Sequence, residues 1–132
     1  MSNLLSSLNG AETRTLLWTN PSPTSNFVGQ TIPLDLSNFD EVEVEFYLIG
    51  VDNFISPSFL KVNRNYSQWV ALFHQLNISD VNCNISVRRV QMLNSGVEFS
   101  DNHYKNYISG GLTVDNSVSI PYKIYGIKTI SL

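Results

Sequence analysis

The chain has 132 residues, enough for one domain with a substantial core and too few for two. Only 14% of its residues are charged and the formal net charge is −3, so its polar surface is mostly uncharged. The eight Lys and Arg residues are scattered, which excludes a basic patch for nucleic acid. No apolar run approaches the length of a membrane span, and no signal peptide or membrane insertion is expected.

The N-terminal third begins with a short polar segment, residues 1–11, that is expected to be flexible. A single domain is therefore placed at 12–132. The first predicted strand is Glu12–Thr19, and it ends at Asn20–Pro23, where two prolines force an extended turn. The second predicted strand is Phe27–Leu36.

The clearest strand is Glu41–Ile49, in which apolar and polar residues alternate. The apolar residues are Val42, Val44, Phe46 and Leu48, and the polar face carries Glu41, Glu43, Glu45 and Tyr47. Such alternation predicts a strand of an antiparallel sheet, with one buried face and one acidic, solvated face.

Three further strands are predicted in the middle of the chain, at Ser58–Val62, Gln68–Leu76 and Asn84–Leu93. Gln68–Leu76 has apolar residues on both faces, which indicates a strand that is central or covered on both sides. In Asn84–Leu93 the apolar positions change phase at Arg88-Arg89, which predicts a β-bulge at that pair.

The C-terminal part begins with a short predicted strand at Val97–Ser100. The segment Asp101–Asn116 is rich in Asn, Ser and Gly and is predicted to be the longest loop, with a brief strand at Leu112–Val114. A final strand is predicted from Val118, with a glycine bulge at Gly126. About eight strands at roughly ten-residue spacing, without a helix, predict an all-β antiparallel β-sandwich that is jelly-roll-like.

The chain has few residues of the types that bind metals or act in catalysis. His74, His103 and Cys83 are too few for a zinc site of nitrogen and sulfur ligands, and no Gly-X-Ser-X-Gly motif presents a nucleophile. We therefore expect no enzyme, no metal and no cofactor. Carboxylates two apart on the Glu41–Ile49 strand are about 7 Å from each other, the spacing of inverting glycosidases, but any solvated strand has the same pattern.

One segment, Asp101–Tyr107, alternates aromatic rings with amides and a carboxylate in a predicted loop. This mixture suits stacking on a sugar ring and hydrogen bonding to its hydroxyls. The predicted glycan-binding residues are Tyr66, Trp69, Asp101, Asn102, His103, Tyr104 and Tyr107. The alternative is that Tyr104 and Tyr107 fasten a long loop to the sandwich or lie in a subunit interface.

Both ends of the domain show a family resemblance. The segments Thr15–Ser25, Gln30–Leu36 and Glu41–Phe46 resemble the opening of a β-sandwich domain found in structural proteins of tailed bacteriophages and prophages. Ile120–Lys128 is similar to the end of the same domain. Together these matches bracket about residues 13–130.

In that family the domain commonly stands at the C-terminus of tail-fibre, baseplate or head-fibre proteins. The resemblance implies a non-enzymatic virion protein, made in the host bacterial cytoplasm, that is a homotrimer or is bound to other virion proteins. Its expected role is a fibre-tip or head-decoration module that adheres to a host-surface glycan. The alternative is a purely architectural capsid or tail subunit, and a weaker alternative is a glycan-processing enzyme.

Overall fold

The computed structural model describes residues 11–49, 55–78, 83–108 and 110–130. Within these residues the chain forms ten strands and no helix, which confirms the predicted all-β fold. The strands are β1 (Glu12–Thr19), β2 (Gln30–Pro33), β3 (Glu41–Ile49), β4 (Ile55–Asn63), β5 (Val70–Ile78), β6 (Cys83–Leu93), β7 (Gly96–Phe99), β8 (His103–Asn106), β9 (Leu112–Val114) and β10 (Ile120–Thr129). The flexible segment predicted for 1–11 lies outside the described residues, except for Ala11.

The strands form two antiparallel sheets. Sheet A has the order β1-β10-β3-β4. In sheet B the long strand β6 pairs with β5 along one edge and with β7 and β8, placed end to end, along the other. Strand β2 extends the sheet beyond β7, and β9 extends it beyond β8. The jelly-roll connectivity stays a prediction.

Each sheet buries one face against the other, so the core of the β-sandwich lies between them. The alternation predicted for β3 is confirmed, because Val42, Val44 and Phe46 are all fully buried. Sheet B meets them with residues such as Val90 and Phe99. The rings of Phe46 and Phe99 pack edge to face with their centroids 6.2 Å apart, so the two sheets are in direct contact here.

The outer face of β3 is charged, but it is less solvated than the sequence predicts. Glu43 forms an ion pair with Arg14 at 2.6 Å, and its side chain is only 17% exposed. The Arg14 guanidinium also lies 3.5 Å from the centre of the Tyr125 ring. Neighbouring strands therefore cover the acidic stripe, and Glu43 is held in a structural contact.

Strand β5 lies at an edge of sheet B, so the prediction that this segment is central or covered on both sides is wrong. Its inward residues Val70 and Leu72 pack against the core, whereas Phe73 is 64% exposed on the outer face. Apolar residues on both faces are typical of a central strand. In β5 the second apolar face is the outer one, and its Phe73 is exposed to solvent.

Strand β6 has no bulge at Arg88-Arg89, which contradicts the prediction. The pairing with β5 is continuous through this pair, and alternate residues of β6 are buried along the whole strand. The apolar pattern changes phase because some inward positions are polar. These positions are Asn84, Ser86 and Arg88.

Arg88 is fully buried, and its guanidinium donates four hydrogen bonds, all of them to main-chain carbonyls. Nε donates to the oxygen of Ser119 at 2.9 Å, and Nη2 donates to that of Val118 at 3.1 Å. Nη1 donates to the oxygens of Phe27 and Ser100, both at 2.9 Å. Burial lowers the pKa of Arg88 to about 10, so the side chain remains charged at neutral pH.

At Gly126 a side chain packs closely against the backbone, and β10 has no bulge there. The pairing of β10 with β3 runs unbroken past Gly126 to Ile127, so the predicted glycine bulge is wrong, and the irregularity lies at Tyr122. A Cβ atom at Gly126 would lie 2.5 Å from Cδ1 of Phe39. The ring of Phe39 therefore fills the space that a side chain would need.

Replacing Arg88 by leucine should destabilise the fold by about 3 kcal/mol or more, because four carbonyls would lose their donor inside the sandwich. Urea unfolding measures this loss. Arg89→Leu is the matched control, since Arg89 is the adjacent exposed arginine, and it should cost less than about 1 kcal/mol. Equal losses for the two variants would contradict the role assigned to Arg88.

Gly126→Ala should destabilise the fold by about 1–3 kcal/mol, because the new methyl group would overlap the Phe39 ring. A double-mutant cycle with Phe39→Ala tests the cause. In the Phe39→Ala background the same glycine replacement should cost close to nothing. An unchanged cost there would show that the ring is not what Gly126 accommodates.

Candidate binding surfaces

Asp101 belongs to a structural network in the connection between β7 and β8. Its Oδ1 accepts a hydrogen bond from the main-chain N–H of Gly29 at 2.8 Å and one from Nδ2 of Asn116 at 3.1 Å. The bond from Gly29 and then that from Asn116 hold the pKa of Asp101 below its ordinary value of 3.8. A Cβ at Gly29 would lie 2.7 Å from the nitrogen of Asp101, so this close approach requires glycine.

Asn102 is completely buried, so its side chain does not reach the surface that a glycan would touch. Its Nδ2 donates to the main-chain oxygen of Asp115 at 2.9 Å, and its own N–H donates to Oδ1 of Asn116 at the same distance. The two bonds join the β7–β8 connection to the β9–β10 connection. The main-chain N–H and Nδ2 of Asn102 thus serve the fold.

The segment predicted to be a loop contains the strand β8, which pairs with both β6 and β9. Along a strand, side chains alternate between the two faces. Tyr104 lies opposite the buried Ser86, on the inner face of sheet B, and His103 lies on the outer face. Tyr107 follows the strand, is 54% exposed and has Nζ of Lys105 5.0 Å from its ring centre.

Tyr66 and Trp69 lie in the connection between β4 and β5. Trp69 is covered on one side by the Arg89 guanidinium, 5.1 Å from its ring centre. His103 pairs with Val87 on the other side of β6. Trp69 and His103 are therefore two strand spacings of about 4.8 Å apart across the sheet. They are also offset along β6, because their neighbours Arg89 and Val87 are two residues apart. The seven predicted residues therefore do not form one platform, and their glycan-binding role stays a prediction.

A different site lies at the end of the sandwich where β6 turns into β7. It is a cleft of about 360 Å³, here called the end cleft. Three connections form it, namely β2–β3, β4–β5 and the turn after β6. Its lining residues are Asp35, Leu36, Ser37, Arg64, Asn65, Ser67, Met92, Leu93 and Asn94.

Charged groups of both signs are fixed at the end cleft. Asp35 Oδ1 accepts hydrogen bonds from Oγ of Ser37 at 2.6 Å and from its N–H at 3.0 Å. The first and then the second of these bonds lower the pKa of Asp35 from its ordinary value, so it is a carboxylate at neutral pH. Nε of Arg64 donates to the main-chain oxygen of Phe39 at 2.7 Å, which orients the guanidinium.

The floor of the end cleft is apolar and its rim is polar. Leu36 and Met92 are buried core residues and provide an apolar floor. The amides of Asn65 and Asn94 supply both donors and acceptors. Tyr66 lies beside Asn65 in the same turn and is 49% exposed. Tyr66 itself is not among the residues that line the end cleft, although Asn65 and Ser67 on either side of it are.

The end cleft was not predicted from the sequence, and none of its lining residues is among the seven predicted ligand residues. Its residues come from Asp35–Ser37, Arg64–Ser67 and Met92–Asn94, which are about thirty residues apart along the chain. Each segment has the Asn, Asp and Ser residues that are also typical of ordinary turns. No local signal distinguishes such turns from a site; only their position at one end of the sandwich does.

The described part of the chain has no group of three His, Cys, Asp or Glu residues placed to hold a metal ion. It has no helix long and apolar enough to cross a membrane.

No protein-family model matches the chain, and a search of curated proteins finds no match. The resemblance to phage structural domains therefore stands on the sequence segments alone.

The ionised Asp101 should stabilise the fold, and its lowered pKa sets the pH range in which this holds. The Asp101 carboxyl binds its proton less tightly in the folded state than in the unfolded state. The stabilisation is therefore present above the ordinary pKa of 3.8 and is lost as the pH falls through the lowered pKa of the folded state. Asp101→Asn should therefore be less stable than the wild type at neutral pH, and the gap should close in acid. Urea unfolding at a series of pH values measures it.

The network supplies the control for this prediction. In an Asn116→Ala background, one of the two donors to Asp101 is absent, so the effect of Asp101→Asn should be smaller. A gap that stays constant from neutral to acidic pH would show that the carboxylate charge has no part in it.

Proposed function

We propose that this chain is a non-enzymatic binding module of a phage particle, and that it holds a host-surface glycan in the end cleft. The end cleft is the observation that carries the binding proposal. The placement in a virion rests on the resemblance of the segments at the two ends of the domain, and on no other observation.

The lining of the end cleft fits the chemistry of a sugar. A glycan offers many hydroxyls, which need donors and acceptors in close alternation, and apolar C–H faces that pack on aromatic rings. Asp35 offers acceptors, Arg64 offers donors, and Asn65 and Asn94 offer both. The half-exposed Tyr66 stands between the lining residues Asn65 and Ser67 in the chain, and the proposal has its ring pack on the bound sugar.

Size and charge support the same proposal. A volume of about 360 Å³ falls at the lower end of small-molecule pockets, which suits one or two sugar units. The carboxylate of Asp35 and the guanidinium of Arg64 offset each other's charge, so the lining has no strong preference for an anion. The low charge content of the chain, 14%, is in keeping with a neutral ligand.

A second candidate is an architectural subunit that contacts other virion proteins. The observation in its favour is the outer face of sheet B, where several large apolar side chains are exposed. Phe73, Leu112 and Val114 are each more than half exposed, on strands β5 and β9. Such a cluster is typical of a protein contact surface.

Saturation-transfer NMR with a panel of neutral oligosaccharides from host cell walls tests the proposed function. Tyr66→Ala should weaken binding about tenfold, because a lost ring contact is worth about 1 kcal/mol or slightly more. Asn94→Ala should weaken it as well, while the thermal melt of both variants remains close to that of the wild type.

Tyr107→Ala is the matched control. Its ring is as exposed as that of Tyr66, but Tyr107 bonds to Cys83 at the opposite end of β6, about 30 Å from the end cleft at the rise of a strand. It should leave binding unchanged. Loss of binding in Tyr107→Ala with full binding in Tyr66→Ala would move the site to β8, and failure of every sugar to bind would contradict the proposal.

A further inference from the structure

Two opposite charges line the end cleft without pairing with each other. Asp35 and Arg64 both belong to its lining. Among the described residues Arg64 forms an ion pair neither with Asp35 nor with Asp40, although its N–H donates to the main-chain oxygen of Asp40 at 3.0 Å. The carboxylate of Asp40 is engaged elsewhere, since its Oδ2 accepts from the N–H of Thr129 at 2.9 Å. A carboxylate and a guanidinium therefore stand at separate places in one cleft.

The Asp35 carboxylate is occupied on one oxygen only. Its Oδ1 accepts both hydrogen bonds from Ser37, whereas Oδ2 accepts none from the described part of the chain. Asp35 is an exposed residue, so Oδ2 is accessible. An ionised oxygen that its own turn holds in place is an acceptor for the ammonium group of a ligand.

The Arg64 guanidinium is also held on one side. Nε donates to the main-chain oxygen of Phe39 at 2.7 Å, and the side chain makes no other hydrogen bond to a described residue. Nη1 and Nη2 carry the remaining N–H donors of a guanidinium. Such donors form a fork that binds the oxygens of an anion in pairs.

The rest of the lining suits the part of a ligand that joins two charges. Leu36 and Met92 offer apolar contact, and Asn65 and Asn94 offer hydrogen bonds to hydroxyls. The cleft volume of about 360 Å³ leaves room for a sugar ring with charged substituents. Phosphate fits the Arg64 side, because its three oxygens can accept from both Nη groups and from the amide of Asn65.

We propose that the glycan bound in the end cleft is zwitterionic, with an ammonium group on Oδ2 of Asp35 and a phosphate group on the Nη groups of Arg64. The inference rests on the proposed function, since it names the kind of glycan. A ligand with only one charge would meet a like charge across the cleft, from Asp35 for an anion and from Arg64 for a cation. The lining therefore selects both charges together.

Isothermal titration calorimetry with four forms of one hexosamine tests the proposal. Glucosamine 6-phosphate carries both charges, and N-acetylglucosamine carries neither. Glucosamine has the ammonium alone, and N-acetylglucosamine 6-phosphate has the phosphate alone. The wild type should bind glucosamine 6-phosphate about tenfold more tightly than either singly charged form, which is the typical value of a hydrogen bond to a charged group.

Two variants assign each charge of the ligand to its residue. Asp35→Asn should abolish the preference for the free amine over the acetamide and keep the preference for phosphate. Arg64→Gln should abolish the preference for phosphate and keep that for the amine. The comparison of the four sugars on the wild type needs no variant, so it tests the proposal even when Arg64→Gln does not fold.

Asp115→Asn is the matched control for Asp35→Asn. Ser117 donates the same two bonds to Oδ1 of Asp115, at 2.5 and 3.0 Å, but Asp115 is not a lining residue of the end cleft. Lys105→Gln removes an exposed cation of β8 and is the control for Arg64→Gln. Both controls should keep the affinities of the wild type. Loss of a preference in a control would show that overall charge, and not the cleft, recognises the ligand.

The outcomes separate this inference from the proposed function. Equal affinity for all four sugars would overturn the zwitterion and leave the proposed function intact, and so would binding of the neutral oligosaccharides alone. Failure of the four sugars and of the oligosaccharide panel would contradict both. O-Phosphoethanolamine carries the two charges without a sugar ring and should bind more weakly than glucosamine 6-phosphate. Equal binding of these two would overturn the glycan, and with it the proposed function.

Discussion

The fold depends on one buried cation. Arg88 lies on the inner face of β6, where an apolar residue would otherwise be expected, and four main-chain carbonyl dipoles compensate its charge. The negative charge of Asp101 also favours the charged form of Arg88. A charge in the interior is tolerated only when its hydrogen-bonding capacity is nearly filled. The chain before β2, after β7 and before β10 must therefore pass Arg88 at bonding distance.

One of these carbonyls belongs to a strained residue. Ser119 has a φ of 50°, in the left-handed region that residues with side chains rarely adopt. Its oxygen accepts from Arg88, and its Oγ lies 3.4 Å from that of Ser86. The turn into β10 is thus held from two sides, which fixes where this inner strand of sheet A begins. Such backbone strain persists only where the surrounding contacts hold the residue in that conformation.

The sequence predicts well where a single physical rule acts, and poorly where two rules compete. The alternation in β3 follows directly from burial of one face, and it was predicted residue by residue. The phase changes near Arg88 and Gly126 predict bulges only when every inward position is apolar. In the structure, a hydrogen-bonded arginine and a glycine under the ring of Phe39 occupy inward positions instead.

Binding sites were harder to predict than strands. Asp101 and Asn102 have the residue types of a sugar site, but the same hydrogen-bonding capacity joins two connections of the fold. The end cleft brings together segments that are distant in sequence, and only the folded chain places them together. Of the predicted ligand residues, only Tyr66 is next to its lining residues along the chain.

The pairing of β1 with β10 determines how the domain responds to mechanical load. Glu12 lies opposite Thr129, and the N–H of Ile130 donates to the oxygen of Ala11 at 2.6 Å, so the outer ends of both strands meet at one corner of sheet A. Tension applied between residues 12 and 129 separates the two strands one hydrogen bond at a time, because the force acts across the ladder and not along it. A pull directed along β10 would instead load all bonds of the ladder together. The domain is therefore weak to a force that parts these two ends and resistant to one along β10.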